Sequence, residues 1–269
     1  MTDGTVRRLG ALAECLHAVV YFAPENEAAY RALGLKGYWM GYVASRSAAL
    51  GAAGPEQVTR LFGGFAPERI ARALPDAWDI ATPQAVLAAR GEAATAALRR
   101  LLGDLDVSTA AAALAQAVAG LDLAGRPLAA AHARAFAAAP GAGPVACLWQ
   151  AATVLREYRG DAHLQAVAEA GLRWPEPHLL LAATGRLDPR QQDLRGWDDD
   201  AWAAARERVR SQPAGAHEWL DARTDHLAGV AGAAELCAVL EAPALAVLAG
   251  GGVPFPNAMG LADPRPGAA

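Results

Sequence analysis

The chain has 269 residues, enough for one large or two ordinary domains, with 54% hydrophobic and 19% charged residues, a formal charge of −4 and a pI near 5.9. That composition describes a compact folded chain with a real core. It lacks the basic stripe of a dedicated nucleic-acid binder, so nucleic acid stays open as a partner but is disfavoured. No run of about 18 uncharged apolar residues appears, so no membrane span is expected. Glu14 and His17 interrupt the stretch after Arg7 and Arg8, which argues against a signal peptide and for a cytoplasmic protein.

Ala and Leu dominate while β-branched and aromatic residues are scarce, which favours helix throughout and an all-α fold. Residues 5–22 form a first helix on the spacing of Leu9, Leu12, Leu16, Val19 and Val20, stopped by Pro24. A helical turn at 25–33 ends at Gly34, and "GYWMGYVASRSAALG" (37–51) closes on Gly51. Pro55 and Pro67 open two short helices that end at Gly63–Gly64 and at Pro75. Thr82 caps a long helix to Gly103, Ser108 caps another to about 119, and a third spans 127–138. The segment "PGAGP" (140–144) is the best linker and divides the chain into an N-terminal lobe (1–140) and a C-terminal lobe (145–269).

The second lobe opens with a helix from about 145 to 159. Gly160 suits a C′ position and Asp161 an N-cap, so "RGD" predicts a sharp helix-to-helix corner before a helix over 162–170. A short helix at 175–185 follows. "WDDDAWAAARERVR" (197–210) takes Asp198 as its cap, with acids in the first turn and arginines in the last, the order a helix dipole favours. Helices at about 216–229 and 232–249 precede a Pro-limited tail, in which Phe255 is expected to plug a groove between the lobes and Asn257 to tie the backbone. Only 186–197 or 211–217 leaves room for a hairpin. Cys15, Cys147 and Cys237 lie far apart with no CxxC pair, as buried reduced thiols do.

Several blocks recur together: "LHAVVYFAPE" (16–25), "FAPERIARALPDAWDIATP" (65–83), "LREYRGDAH" (155–163), "RGWDDDAWAAARERVR" (195–210), "ARTDHLA" (222–228) and "VPFPNAMGL" (253–261). Across nearly the whole chain they resemble an actinobacterial family of helix-turn-helix-like proteins related to the winged-helix regulators. The resemblance implies a fold and no particular activity. In that family the Trp-Asp-rich helix is followed by a hairpin-like wing, and residues 211–217 are too short for a full one. A second lobe with a reduced or absent wing is therefore expected.

Two constellations carry candidate chemistry. Arg156, Glu157, Arg159, Asp161 and His163 crowd the 155–163 segment, and on an unbroken helix Arg156, Arg159 and His163 would share a face. As a site they offer arginine forks for an anion and His163 as acid or base; as structure they offer an ion-pair network. In the first lobe His17 lies on an apolar helix with Tyr21 at i+4, and Tyr38, Tyr42, Ser45 and Arg46 form a polar-aromatic stripe. Those residues suit an aromatic or carboxylate ligand, or a satisfied core histidine.

The histidines show no HxxxH or HExxH pattern, so no metal is expected, and no cofactor motif is present. The leading expectation is a small-molecule-binding protein of helix-turn-helix ancestry, with a polar pocket between or within its lobes. An enzyme using the 156–163 corner and a DNA-binding regulator using the 198–210 helix are the alternatives. A homodimer is left open.

Overall fold

The computed structural model describes residues 3–139, 142–185, 188–257, 259–261, 263–265 and 267. The chain runs through α1 (Asp3–His17), α2 (Val19–Phe22), α3 (Pro24–Ala32), α4 (Gly37–Ser47) with a 3₁₀ turn at Ala48–Leu50, α5 (Pro55–Phe62), α6 (Pro67–Ala71) and α7 (Asp76–Ile80). Two longer helices, α8 (Pro83–Leu102) and α9 (Ser108–Ala119), are followed by α10 (Pro127–Ala138) and the 26-residue α11 (Pro144–Glu169). The last part contains α12 (Glu176–Ala182), α13 (Gln191–Arg195), α14 (Asp199–Arg210), α15 (Ala216–Leu227) and α16 (Ala233–Ala249). The fold is all-α, with no strand among the described residues.

The local rules explain most boundaries. The Thr82 hydroxyl accepts from the Ala85 amide, and the Asp198 carboxylate from the Ala201 amide, each satisfying an orphan donor of a first turn. Ser108 is itself the first residue of α9, and the Asp106 carboxylate accepts its amide, so Asp106 does the work expected of Ser108. The stretch after Pro75 re-enters helix as α7, which the Pro stop had hidden. Of the 140–144 linker, residues 140 and 141 lie outside the described residues; Gly143 adopts a left-handed φ of 91° and Pro144 opens α11. Of the hairpin candidates, residues 186 and 187 lie outside the described residues, 191–195 is helical, and 211–215 is a turn leading into α15.

The main correction concerns the 155–163 segment. Gly160 and Asp161 do not end one helix and begin another; α11 passes through both without a break. A mid-helix glycine costs roughly 1 kcal/mol relative to alanine, which packing on several sides readily exceeds. Asp161 does cap a helix, but a different one: its Oδ2 accepts the Ala129 amide at 3.0 Å, in the first turn of α10. His163 consequently lies in mid-helix rather than in a first turn.

At about 1.5 Å per residue α11 spans about 39 Å, and other helices pack along its length: α9 and α10, α1 and α8, then α15. The largest apolar cluster combines Leu9, Leu12 and Leu16 of α1, Leu98 of α8, Leu114 of α9, Leu148 and Leu155 of α11, and Leu240 of α16. A second cluster gathers Val43, Val58, Ile70 and Leu74, and a small third one joins Ala166 and Val167 of α11 to Leu180 and Leu220. Along α11 the buried faces change from turn to turn, and the middle turns carry the ionisable residues.

Candidate ligand-binding cleft

Glu157 is fully buried on α11 and is gripped by two guanidiniums. Arg46 of α4 donates from Nε and Nη2 at 3.3 and 3.2 Å, and Arg156 donates from Nη1 at 2.8 Å. Arg156 Nε also donates to Glu14 of α1 at 3.1 Å. Burial alone would raise the Glu157 carboxyl, but Arg156 and Arg46 outweigh it and hold it well below the usual range. One helical turn on, Arg159 Nη1 lies 2.6 Å from the buried Asp225 carboxylate of α15, which Arg7 of α1 also reaches at 2.8 Å. The close approach depends on Gly10, where a Cβ would come within 2.9 Å of the Arg159 side chain.

Above these pairs lies a cleft of about 250 Å³. Five arginines line it: Arg7, Arg46, Arg156, Arg159 and Arg195. Glu14 and Asp221 line it as well, with Glu157 and Asp225 directly behind. Arg195 of α13 stacks over Phe65 at 4.3 Å. Burial, and then Arg46 and Arg156 against the opposite pull of Tyr42, keep Arg195 below its ordinary pKa.

His163 and His178 complete the polar wall, and the apolar wall comes from Phe62, Trp174 and the Met259–Leu261 segment. Gly63 and Gly64, both at φ 55°, turn the chain after α5 so tightly that a Cβ at either would strike Trp174 or His178. The freed Gly64 carbonyl accepts from both His178 Nε2 and Trp197 Nε1 at 2.9 Å.

The hydrogen bonds fix the tautomer of His163. Thr224 Oγ1 gives its only proton to the Leu220 carbonyl at 2.7 Å, so at 3.2 Å from His163 Nδ1 it can only accept. His163 therefore carries its proton on Nδ1 and presents a lone pair at Nε2. Burial and the nearby Arg159 lower its pKa to about 4, so the ring is neutral at neutral pH.

The structure thus brings Arg46, Arg156, Arg159 and His163 to one cleft, with Glu157 behind it. The other candidates sit elsewhere. His17 is fully buried, donating from Nδ1 to Thr153, whose proton goes to the Trp149 carbonyl, and accepting the Tyr21 hydroxyl proton at Nε2. Tyr42 packs on Tyr21 at 5.1 Å and on Phe65 at 5.6 Å between that core and the cleft. Asp161 faces α10. In the tail, Asn257 Oδ1 accepts the Met259 and Leu261 amides, which sets these two residues over the cleft. Phe255 packs at the edge of the largest cluster, beneath Arg265.

Three contributors escaped the sequence reading. Arg195 was legible only as the first residue of the 195–210 block that carries the family resemblance, and Arg7 only as a basic residue near the N-terminus. Arg90 carried no signal at all: it is fully buried on α8, with Trp149 and Tyr21 rings 5.5 and 5.8 Å from its guanidinium and a 3.4 Å bond to Ser45.

Among the described residues no group of His, Cys, Asp or Glu is placed to hold a metal ion, and no helix is long and apolar enough to cross a membrane. The comparisons with curated proteins and with solved structures gave no match. A family model described as a helix-turn-helix family matches residues 6–254, which is nearly the whole chain. With that match and an all-helical architecture behind it, the chain belongs to the helix-turn-helix family.

Proposed function

We propose that this protein binds a small carboxylate- or phosphate-bearing ligand in the arginine-lined cleft. The observation that carries the reading is the convergence of five arginines on about 250 Å³, where the four nearest carboxylates leave positive charge in excess. Guanidinium forks match carboxylate and phosphate geometry, and a partly buried site strengthens each charge-assisted bond. Trp174 and Phe62 would cover an apolar body behind the anionic head, and the His163 Nε2 lone pair would take a hydroxyl proton from it. On this reading the N-terminal lobe (1–140) supplies Arg7 and Arg46, the C-terminal lobe (145–269) supplies Arg156, Arg159 and Arg195, and the ligand sits where they meet.

The test is calorimetric titration with benzoate and with inorganic phosphate, alongside native mass spectrometry of the purified protein. One of the two anions is expected to bind, and the arm that responds names the head group. Arg195→Gln should weaken binding about tenfold or more, the usual effect of losing a charged hydrogen bond, without loss of folding. Binding of neither anion, or equal binding by the Arg195→Gln variant, counts against the cleft.

Family membership supports a second reading, DNA binding through α14. Two of its arginines are already engaged, Arg208 with Glu176 and Arg210 with Glu207, and Asp198, Asp199 and Asp200 at its start repel phosphate. A gel shift with duplex DNA is expected to show no complex; a complex that weakens steeply with salt would establish this second reading.

A further inference from the structure

A separate groove of about 620 Å³ lies between α8, α10 and α11. Its volume falls within the range of small-molecule pockets, roughly 300–1,000 Å³. Small residues open it: Gly91 on α8, Ala135 on α10 and Ala146 on α11 leave space where larger side chains would meet. Phe136 and the nearly buried Trp149 supply aromatic surface. Glu92 and Arg99, one acid and one base, both exposed, are its charged residues, so no net charge is offered to a ligand.

At its floor sits His132, 5% exposed. Its one ring hydrogen bond among the described residues runs from Nε2 to the Arg46 carbonyl at 3.3 Å. A carbonyl can only accept, so Nε2 holds the proton and Nδ1 keeps its lone pair. Burial lowers the His132 pKa to about 4, which keeps the ring neutral and Nδ1 an acceptor. The ring is nearly buried but Nδ1 is not among the fully enclosed unpaired atoms, so it opens to the groove, where a ligand's donor can take the place of water.

We propose that this groove is a second binding site, for an uncharged, largely apolar ring compound that donates one hydroxyl or N–H hydrogen bond to His132. The site is separate from the anion cleft, since it shares no lining residue with it and asks for the opposite ligand chemistry; the His132–Arg46 hydrogen bond joins the two.

The test is a calorimetric titration of the full chain with β-naphthol and with its methyl ether, which has the same rings and no donor. The wild-type protein is expected to bind the naphthol about tenfold more tightly than the ether, the net worth of one good hydrogen bond. His132→Phe should remove that preference. Because His132 also braces Arg46, a second variant guards against misfolding: Ala135→Trp, on a half-buried wall, should fill the groove and abolish binding of the naphthol while leaving phosphate or benzoate titrations unchanged. Equal binding of the two probes, binding of neither at millimolar concentration, or naphthol binding that survives Ala135→Trp would each overturn the proposal.

Discussion

Glu157 concentrates the electrostatics of the molecule at one side chain. Its carboxylate has left water completely, and what keeps it charged is the pair of guanidiniums at 2.8 and 3.2 Å. Removing one member of such a buried set strands the others, at a cost of about 3–5 kcal/mol. Glu157→Gln should therefore lower the urea unfolding free energy by about that amount, leaving Arg46 and Arg156 without their shared counter-ion; a change below about 1 kcal/mol would mean that the pair contributes little.

Sequence spacing made half of this legible. The run 155–163 announced clustered charge, and the helical offsets of Arg156, Arg159 and His163 put them on one face. The partners were not legible: Arg46 lies 111 residues from Glu157 and Asp225 lies 66 from Arg159, and no local pattern reports pairs separated that far. Arg90 shows the same limit from the other side, since a buried cation held by rings rather than by a carboxylate has no signature in its neighbours.

At the scale of elements, α11 shows where local rules mislead. Gly followed by Asp is a stop and a cap when the chain is considered by itself, because glycine accommodates the left-handed C′ conformation and aspartate seeks orphan amides. Both tendencies are real, but tertiary packing redirects them. The orphan amide that Asp161 satisfies belongs to α10, and Gly160 lies in continuous helix at the wall of the cleft. Other ends were legible because their caps act within their own turn, as at Thr82 and Asp198. Gly160→Ala separates the two descriptions. A Cβ at this position would meet Glu157 Oε2 and Arg156 Nη1 no closer than 3.7 Å, an ordinary contact. Alanine in a continuous helix should then raise stability by about 0.5–1 kcal/mol, whereas at a left-handed corner it would lower stability by more than that. The denaturation midpoint of this one variant decides between them.

For the molecule as a whole, the buried histidines set the response to acid. His17, His132, His163 and His178 are neutral in the folded chain. Burial, which comes first for all four, lowers the pKa to about 4 for His132 and His163, to about 3 for His178, and well below the ordinary value for His17. In the unfolded chain each titrates near 6.5. Between pH 6.5 and about 4 the unfolded state therefore binds more protons than the folded state. The stability these groups contribute is complete above 6.5 and falls as the pH drops, by up to about 1.4 kcal/mol per pH unit for each histidine.

Asp161 runs the other way. Burial raises it to about 6, against the lowering effect of the Ala129 amide, so between the ordinary aspartate value and 6 the folded chain retains a proton that the unfolded chain has lost. That contribution grows as the pH falls, and it offsets about one of the four histidine protons. Urea midpoints taken stepwise from pH 7 to pH 4 should therefore fall with a slope of about three protons. Asp161→Asn removes the offset and should steepen the slope to about four. A variant slope equal to the wild-type slope would show that Asp161 does not titrate in this window, and that its carboxylate is held charged by the first turn of α10 more firmly than its burial can oppose.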